Sequence, residues 1–443
     1  MFRHVKSNLL LFLLFFSGRI VHAQSRAVSL AEALQFAQQN QLTVHNKQYN
    51  VQVNEARLRQ EKAARYPEIS GAFDMRYNQQ LPTVILPGEF RNLPAQNIPV
   101  VFGTKYAATA ALEGNYAVFD PERKYNTGKA KLQENISRNE LLVAQTDLAL
   151  EVRKAYYACL LNHKKIKLTL GNLGRSETFL RNTQTLFQNG QVQPVDVDRA
   201  QFDVQSQQAE LQKATLNLNQ NLLSLKYQMG FPLDSAIVLT DTLLLSGERQ
   251  AVFLPDELKV EARPEYRNLQ LQQEQENLLL TRNRHNALPT LRLYGYYGSQ
   301  AFREKFNFTN TTEKWYPVSY FGAELNWLLF QGFLRRAQVQ ESKIALKIRH
   351  NELLIFERDY VFQTYSKLLA MQTEQQNVHV REANVQLAEK ILNVTRIRFE
   401  NSLVQSQEVT DAANDLLEAQ TSYLNALYDF ILARLEYERI QGK

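Results

Sequence analysis

The chain has 443 residues, of which 44% are hydrophobic and 22% charged, with 16 glycines, 12 prolines and one cysteine. This composition excludes a collagen, a low-complexity disordered chain and a small disulfide-stapled domain. The formal charge is +6, and Arg3, Lys6 and Arg19 contribute to it from a segment that we expect to be removed, so no nucleic-acid partner is indicated.

Residues 1–23 have the pattern of an export signal. Cations precede an apolar run from Leu9 to Phe16, and Val21-His22-Ala23 supplies small residues where signal peptidase cleaves. The run is much shorter than the ~20 residues of a membrane-spanning helix. No second long apolar stretch follows in a chain with a mean hydropathy of −0.39, which argues against a multi-helix membrane protein.

The next elements are a helix and a pair of strands. Ser29-Leu-Ala-Glu32 is a capping box that opens a helix, and Pro67 stops it. Alternating apolar and polar residues predict strands at about 68–80 and 104–119. The loop between them contains four prolines, so no regular element is expected there: Pro82, Pro87, Pro94 and Pro99.

Long helices are predicted at about 121–188 and 332–398, with no proline from Glu122 to Gln188 or from Phe333 to Arg398, and returning helices at about 195–229 and 406–440. At 1.5 Å per residue each outgoing helix would extend roughly 100 Å. Apolar residues recur every seven positions, which indicates coiled-coil packing on neighbours in the same chain or another. Gly171 and Gly174 predict a kink or a register shift in the first of these helices.

The chain also repeats itself. Glu113-Gly-Asn-Tyr-Ala-Val-Phe119 matches Glu324-Leu-Asn-Trp-Leu-Leu-Phe330 at an offset of 211 residues, and the segment from Phe187 matches that from Phe399 at an offset of 212. A period of about 210 residues indicates an internal duplication. We therefore predict a signal peptide at 1–23, a first repeat at 24–230, a connecting segment at 231–262 and a second repeat at 263–443, with strands at about 290–302 and 318–330.

The four strands are amphipathic, a pattern typical of a lipid-facing barrel wall. A membrane-spanning sheet must close on itself, and bacterial barrels begin at about eight strands, so the barrel must be shared between subunits. The alternative is a soluble sheet packed on the helices. Four aromatic residues are candidates for the girdle at the membrane surface: Tyr116, Tyr294, Trp315 and Trp327.

The sequence resembles the TolC-type outer-membrane efflux protein family. The resemblance rests on the order helix, strand pair, long helix, turn and helix, found twice, and on four motifs: Arg263-Pro-Glu265, Leu325-Asn-Trp-Leu-Leu-Phe-Gln-Gly332, Phe187-Gln-Asn-Gly-Gln-Val192 and Phe399-Glu-Asn-Ser-Leu-Val404. It implies a mainly α-helical homotrimer whose coiled-coil helices form a periplasmic tunnel. Each chain would contribute four strands to one twelve-stranded β-barrel in the lipid of the outer membrane.

The resemblance also implies a function. The protein would be the exit duct of a tripartite efflux or type I secretion system. It would passively conduct substrates from a periplasmic adaptor (membrane fusion) protein and an inner-membrane pump of RND or ABC type. A periplasmic coiled-coil scaffold without a pore, and a free-standing porin or adhesin, are the alternatives. The scattered histidines lack metal-ligand spacing and no catalytic motif is present, so we expect no enzyme, cofactor or metal.

Three acidic residues match the positions at which the family narrows its tunnel in the periplasm: Asp196, Glu408 and Asp411. In a trimer each would form a ring of three carboxylates, which favours cations and makes these residues candidates for the gate. The alternative is that acids in the first turn of a helix complement its dipole. Members of the family usually carry glycine where Ser402 stands.

The turns between the long helices are candidates for contact with the adaptor protein, because they would cap the exposed end of the tunnel. The candidate residues are Gly190, Val192, Leu403 and Val404. Ordinary turn geometry and packing are the alternative for these positions.

Overall fold

The computed structural model describes residues 26–87, 98–243, 258–285, 287–310 and 312–442. The predicted signal peptide at 1–23 lies outside the described residues. The chain divides into two compact units. A helical unit comprises the chain up to Asn46, Leu142–Arg263 and the chain from Arg358, and a sheet unit comprises Lys47–Leu141 and Pro264–Glu357.

The order of elements repeats along the chain. In sequence the elements are β1 (Arg26–Val28), α1 (Leu30–Asn40), α2 (Leu42–Ala63), β2 (Glu68–Tyr77), β3 (Thr83–Leu86), β4 (Ile98–Val101), β5 (Tyr106–Phe119), α3 (Pro121–Gln188), α4 (Pro194–Met229), β6 (Ile237–Leu239), a 3-10 turn (Val260–Ala262), α5 (Pro264–His285), β7 (Thr290–Arg303), β8 (Tyr316–Asn326), α6 (Leu334–Glu400) and α7 (Ser406–Ile440). Helix, strand pair, long helix and returning helix occur twice, which confirms the predicted mainly helical fold and its duplication.

The N-terminal helix is interrupted at Gln41. The prediction of one helix from Ser29 to Pro67 is wrong, because Gln41 has extended backbone angles (φ −74°, ψ 120°) between α1 and α2. Its side-chain Nε2 donates to the carbonyls of Tyr227 and Gln228, each at 3.1 Å, at the end of α4. The amide thus satisfies carbonyls left over at another helix end.

Helix α3 runs through Gly171 and Gly174 without a break, and the kink or register shift stays a prediction. Glycine costs about 1 kcal/mol relative to alanine in a helix interior. Buried side chains between and after the two glycines, Asn172 and Phe179, hold this part of α3 against its neighbours and offset that cost. Packing has therefore overridden local propensity.

The loop with four prolines contains a hairpin. Strands β3 and β4 pair antiparallel, and Pro99 lies inside β4 opposite Ile85. The expectation that no regular element would form there is wrong, because a two-stranded pair leaves one edge of each strand free. Proline at such an edge loses a donor that the pair does not need.

The main sheet has the strand order β2-β5-β7-β8, and every neighbouring pair is antiparallel. Strand β8 ends at Asn326, whereas the sequence predicted an end near residue 330. The other limits of the predicted strands and long helices lie within about three residues of the observed ones. Strands β1 and β6, which the sequence pattern did not predict, form a short parallel pair.

The hydrophobic core of the helical unit lies among α3, α4, α6 and α7. Phe179, Leu392, Phe399 and Leu416 belong to one buried cluster, and the rings of Phe179 and Phe399 lie 5.3 Å apart. Cys159 is also buried, and burial raises the pKa of its thiol to about 12. A thiol that stays protonated is unreactive.

Candidate functional site

Helices α3 and α4 are joined by a turn at Gly190. The amide of Gly190 donates to the carbonyl of Phe187, and that of Gln191 to the carbonyl of Leu186, each at 2.9 Å. Gly190 has a φ of 69°, in the left-handed region. This pair of hydrogen bonds is the Schellman motif, which ends a helix and satisfies its last carbonyls.

The turn between α6 and α7 has the same hydrogen bonds 212 residues later. The amide of Ser402 donates to the carbonyl of Phe399 at 2.8 Å, and that of Leu403 to the carbonyl of Arg398 at 2.9 Å. Ser402 adopts a φ of 59°, which a non-glycine residue rarely does. Serine therefore supports the same turn as glycine, and the duplication extends to individual hydrogen bonds.

Asp196 has both carboxylate oxygens engaged within the chain. One oxygen accepts from the amide of Gln193 at 2.9 Å, and the other accepts from the hydroxyl of Ser406, the first residue of α7. Its side chain is only 17% exposed. Asp196 thus caps α4 and joins it to α7, which supports the alternative role given to it above.

Glu408 and Asp411 are exposed on α7. Asp411 accepts a hydrogen bond from Nε2 of Gln407 at 2.8 Å. Within the described ranges no side-chain hydrogen bond or ion pair involves Glu408. These two carboxylates are therefore available to water and ions.

Asp203 is an acidic residue of this region that the sequence analysis missed. Its carboxylate accepts a hydrogen bond from the hydroxyl of Thr410 at 3.2 Å, which joins α4 to α7 a second time. Burial raises its pKa above the ordinary value for aspartate. The signal in the sequence was its spacing of seven residues from Asp196, which places both side chains on one face of α4.

The four candidate residues of the turns differ in exposure. Val192 and Val404 pack against the hydrophobic cluster that contains Phe399. Gly190 is exposed, and Leu403 is 68% exposed although it is apolar. Of the four candidates, Gly190 and Leu403 are exposed, whereas Val192 and Val404 are half-buried.

The main sheet has one apolar and one polar face. Directly paired residues point to the same side, so the register defines both faces. The apolar face carries Ile69, Phe73, Met75, Leu112, Tyr116, Leu293, Tyr297, Phe321 and Leu325. The polar face carries Ser70, Asp74, Arg76, Thr109, Glu113, Asn115, Arg292, Gln300, Tyr320 and Glu324. All nine of these apolar side chains are exposed, Phe321 to 92%, whereas Ala108 and Ala301 on the same face are buried.

The four candidate girdle residues do not share one face. Tyr116 lies on the apolar face, and Trp327 follows β8, where its indole N–H donates to the carbonyl of Ala287 at 2.9 Å. Trp315 is half-buried immediately before β8. Tyr294 lies on the polar face, where its ring is 6.3 Å from that of Tyr320, so its position does not support a role in a lipid-facing girdle.

Two classes of feature are missing from the described part of the chain. It holds no group of three or more His, Cys, Asp or Glu side chains suited to a metal ion. None of its helices combines the length and apolar character needed to span a bilayer.

A comparison with protein families gives a match over nearly the whole chain. The family described as outer membrane efflux protein matches residues 33–230 and 258–442, one segment for each repeat. The chain belongs to the outer membrane efflux protein family. Membership confirms the resemblance seen in the sequence, the internal repeat and the predicted location, an outer-membrane channel with its helical tunnel in the periplasm.

Solved structures of other members share the fold. CusC is 14% identical, with 94% of this chain and 93% of that chain covered and a TM-score of 0.76. VceC from Vibrio cholerae is 15% identical (93% and 96% covered, TM-score 0.72), and CmeC from Campylobacter jejuni is 14% identical (93% and 85% covered, TM-score 0.74). A comparison with curated protein sequences gives no match.

Proposed function

We propose that this efflux protein is the exit duct of a tripartite efflux or type I secretion system, and that it passively conducts substrates across the outer membrane. An inner-membrane pump of RND or ABC type would supply the energy, and a periplasmic adaptor would connect pump and duct. The observation that carries the proposal is the main sheet, because its largely exposed apolar face suits lipid while its polar face suits a water-filled lumen.

The edges of the sheet support a homotrimer. Among the described residues β2 pairs only with β5 and β8 only with β7, so both outer strands have a free edge. β2 and β8 run in opposite directions. β8 of one copy can therefore pair antiparallel with β2 of the next, and three copies give a closed barrel of twelve strands with no edge in the hydrocarbon.

The gate of the duct is assigned here to Glu408 and Asp411. Their exposed carboxylates can form rings of negative charge in a trimer, whereas Asp196 is engaged by Gln193 and Ser406. Asp196 instead joins the N-terminal end of α4 to that of α7 through its hydrogen bond with Ser406. Adaptor contact is assigned to Gly190 and Leu403, the two of the four candidate turn residues that are exposed.

Reconstitution tests the proposal. Full-length protein purified in detergent should cross-link as a trimer and produce stepwise ion conductance in planar lipid bilayers, without nucleotide or a proton gradient. Heat-unfolded protein at the same concentration is the control for membrane damage. A monomer that stays in the aqueous phase without detergent, and leaves the bilayer silent, would favour the scaffold instead.

A further inference from the structure

Helices α3, α4, α6 and α7 line a cavity of about 30 Å³ in the helical unit, and the cavity is partly open to solvent. Arg175 of α3, Asp203 and Gln207 of α4 and Arg396 of α6 contribute its polar lining, and α7 contributes apolar side chains such as Val409. The volume is that of one water molecule or one small ion.

The side chains that line the cavity carry more positive than negative charge. Within the described ranges no carboxylate oxygen lies within 4.0 Å of a guanidinium nitrogen of Arg175 or Arg396, so neither arginine forms an ion pair. Burial, followed by the neighbouring charge of Arg175, lowers the pKa of Arg396. Among the lining residues Arg175 and Arg396 are cationic and Asp203, when ionised, is anionic; Glu400, which does not line the cavity, is close enough to oppose the lowering of the pKa of Arg396. The carboxylate of Asp203 accepts its hydrogen bond from Thr410.

Both guanidinium groups are held in place yet keep unused donors. Nη2 of Arg175 donates to Oδ1 of Asn172, and Nη2 of Arg396 donates to the main-chain carbonyl of Arg175. Arg396 also lies over the ring of Phe179, with Cζ 5.8 Å from the ring centroid. A guanidinium has five N–H donors. Both arginines are half-buried, and none of their nitrogens is buried without a hydrogen-bond partner in the described part of the chain, so the remaining donors are open to water or to another ligand.

A third polar group at the cavity lacks a partner. Oε1 of Gln207 is buried and has no hydrogen-bond partner in the part of the chain that the structure describes. Rotating this amide by 180° exchanges its oxygen for the NH₂ group. The NH₂ group of Gln207 then takes the place of the unpaired oxygen, and it can donate a hydrogen bond to an anion.

We propose that this cavity binds one monovalent inorganic anion of the halide class between Arg175 and Arg396. The anion neutralises the excess charge, accepts the unused N–H donors and fits the volume. Because the two arginines belong to α3 and α6, the anion joins an outgoing helix of the first repeat to that of the second. The inference rests on the helical unit and does not depend on the conduction proposed above.

Diffraction from crystals of the full-length protein grown in sodium bromide tests the site directly. An anomalous bromide peak is expected in the cavity, about 3.5 Å or less from nitrogens of both arginines. Density without an anomalous signal, which identifies a water molecule, would overturn the proposal. Neither result bears on conductance, so failure of the duct proposal would be recognised separately.

Thermal unfolding in solution gives a second test with matched variants. Sodium bromide is compared with sodium gluconate at equal ionic strength. Bromide should raise the unfolding midpoint of the wild type and of Arg398→Gln, an exposed position on the same helix, by about 2 °C or more. Arg396→Gln should lose this rise, and Arg175→Lys should reduce it. An equal response in all four proteins would mean a general salt effect and would contradict the site.

Discussion

At the scale of single residues, the acidic side chains near the helix turns differ in their contacts and exposure. The sequence placed Asp196, Glu408 and Asp411 in one group because each matches a position at which the family narrows its tunnel. It could not separate them, since the partner that engages Asp196 is Ser406, 210 residues further along the chain. Long-range contacts of this kind are invisible to spacing and periodicity.

Removing the exposed carboxylates tests whether Glu408 and Asp411 form the gate. Glu408→Gln combined with Asp411→Asn should reduce the preference for cations, because the two rings of negative charge are lost. The reversal potential in a potassium chloride gradient across a planar bilayer measures this preference. Asp415→Asn, which changes another exposed acid of α7, is the matched control. An unchanged reversal potential in the double variant would remove both residues from the gate.

Asp203 gives a prediction for the dependence of stability on pH. Because burial raises its pKa in the folded state, the folded protein binds the proton more tightly than the unfolded chain does. The ionised carboxylate therefore lowers stability at neutral pH. This penalty fades as the pH falls through the folded-state pKa toward about 4, the ordinary value for aspartate.

Asp203→Asn should consequently unfold at a higher temperature than the wild type at pH 8, and the two midpoints should converge toward pH 4. Asparagine keeps an acceptor for the hydroxyl of Thr410. Unfolding midpoints measured at one scan rate across this pH range provide the test. The unfolding midpoint of Asp415→Asn should change with pH as that of the wild type does. A difference in midpoint between Asp203→Asn and the wild type that stays constant across this pH range would contradict the prediction.

At the scale of elements, local patterns predicted the long helices and main strands well and their interruptions poorly. Capping boxes, proline stops and alternation are local, and they placed α3, α4, α6 and α7 within about two residues. The break at Gln41 depends on carbonyls at the end of α4, and continuity through Gly174 depends on packing. Both outcomes were decided by contacts distant in sequence.

Two glycines of β7 offer a test of sheet packing. A Cβ added to Gly298 would lie 2.9 Å from Cβ of Ala111 and 3.0 Å from the carbonyl oxygen of Ala110, whereas one added to Gly295 meets no atom within 4 Å. Gly298→Ala must therefore displace the backbone of β5. It should lower the temperature at which the trimer dissociates on gels, and Gly295→Ala should not. Equal dissociation temperatures would mean that β5 yields without cost.

At the scale of the whole molecule, the duplication was evident from sequence and the assembly was inferred from it. Two repeats supply only four long strands, and this arithmetic, rather than any single residue, pointed to several copies. The sequence did not predict which helix surfaces remain uncovered in one copy. Exposed apolar residues follow α4 at intervals of seven or fourteen positions: Val195, Phe202, Leu216 and Leu223.

This stripe on α4 is the expected contact with a neighbouring copy. Phe202→Ser combined with Leu216→Ser should leave a single chain folded, since both residues are already more than 60% exposed, but should weaken the trimer. Chemical cross-linking and gel filtration in detergent measure the fraction of trimer. Gln205→Ser with Gln212→Ser, exposed polar positions on the same helix, is the control. Loss of trimer in both pairs would mean a general effect on α4.

The free edges of β2 and β8 have a consequence for biogenesis. A lone copy would bring two rows of unsatisfied amides and carbonyls into the hydrocarbon, so it has no stable inserted state of its own. Entry into the bilayer and meeting of the copies should then be a single step. Newly exported chains would remain outside the bilayer until three copies have associated, and a periplasmic chaperone would have to cover the apolar face of each sheet until then.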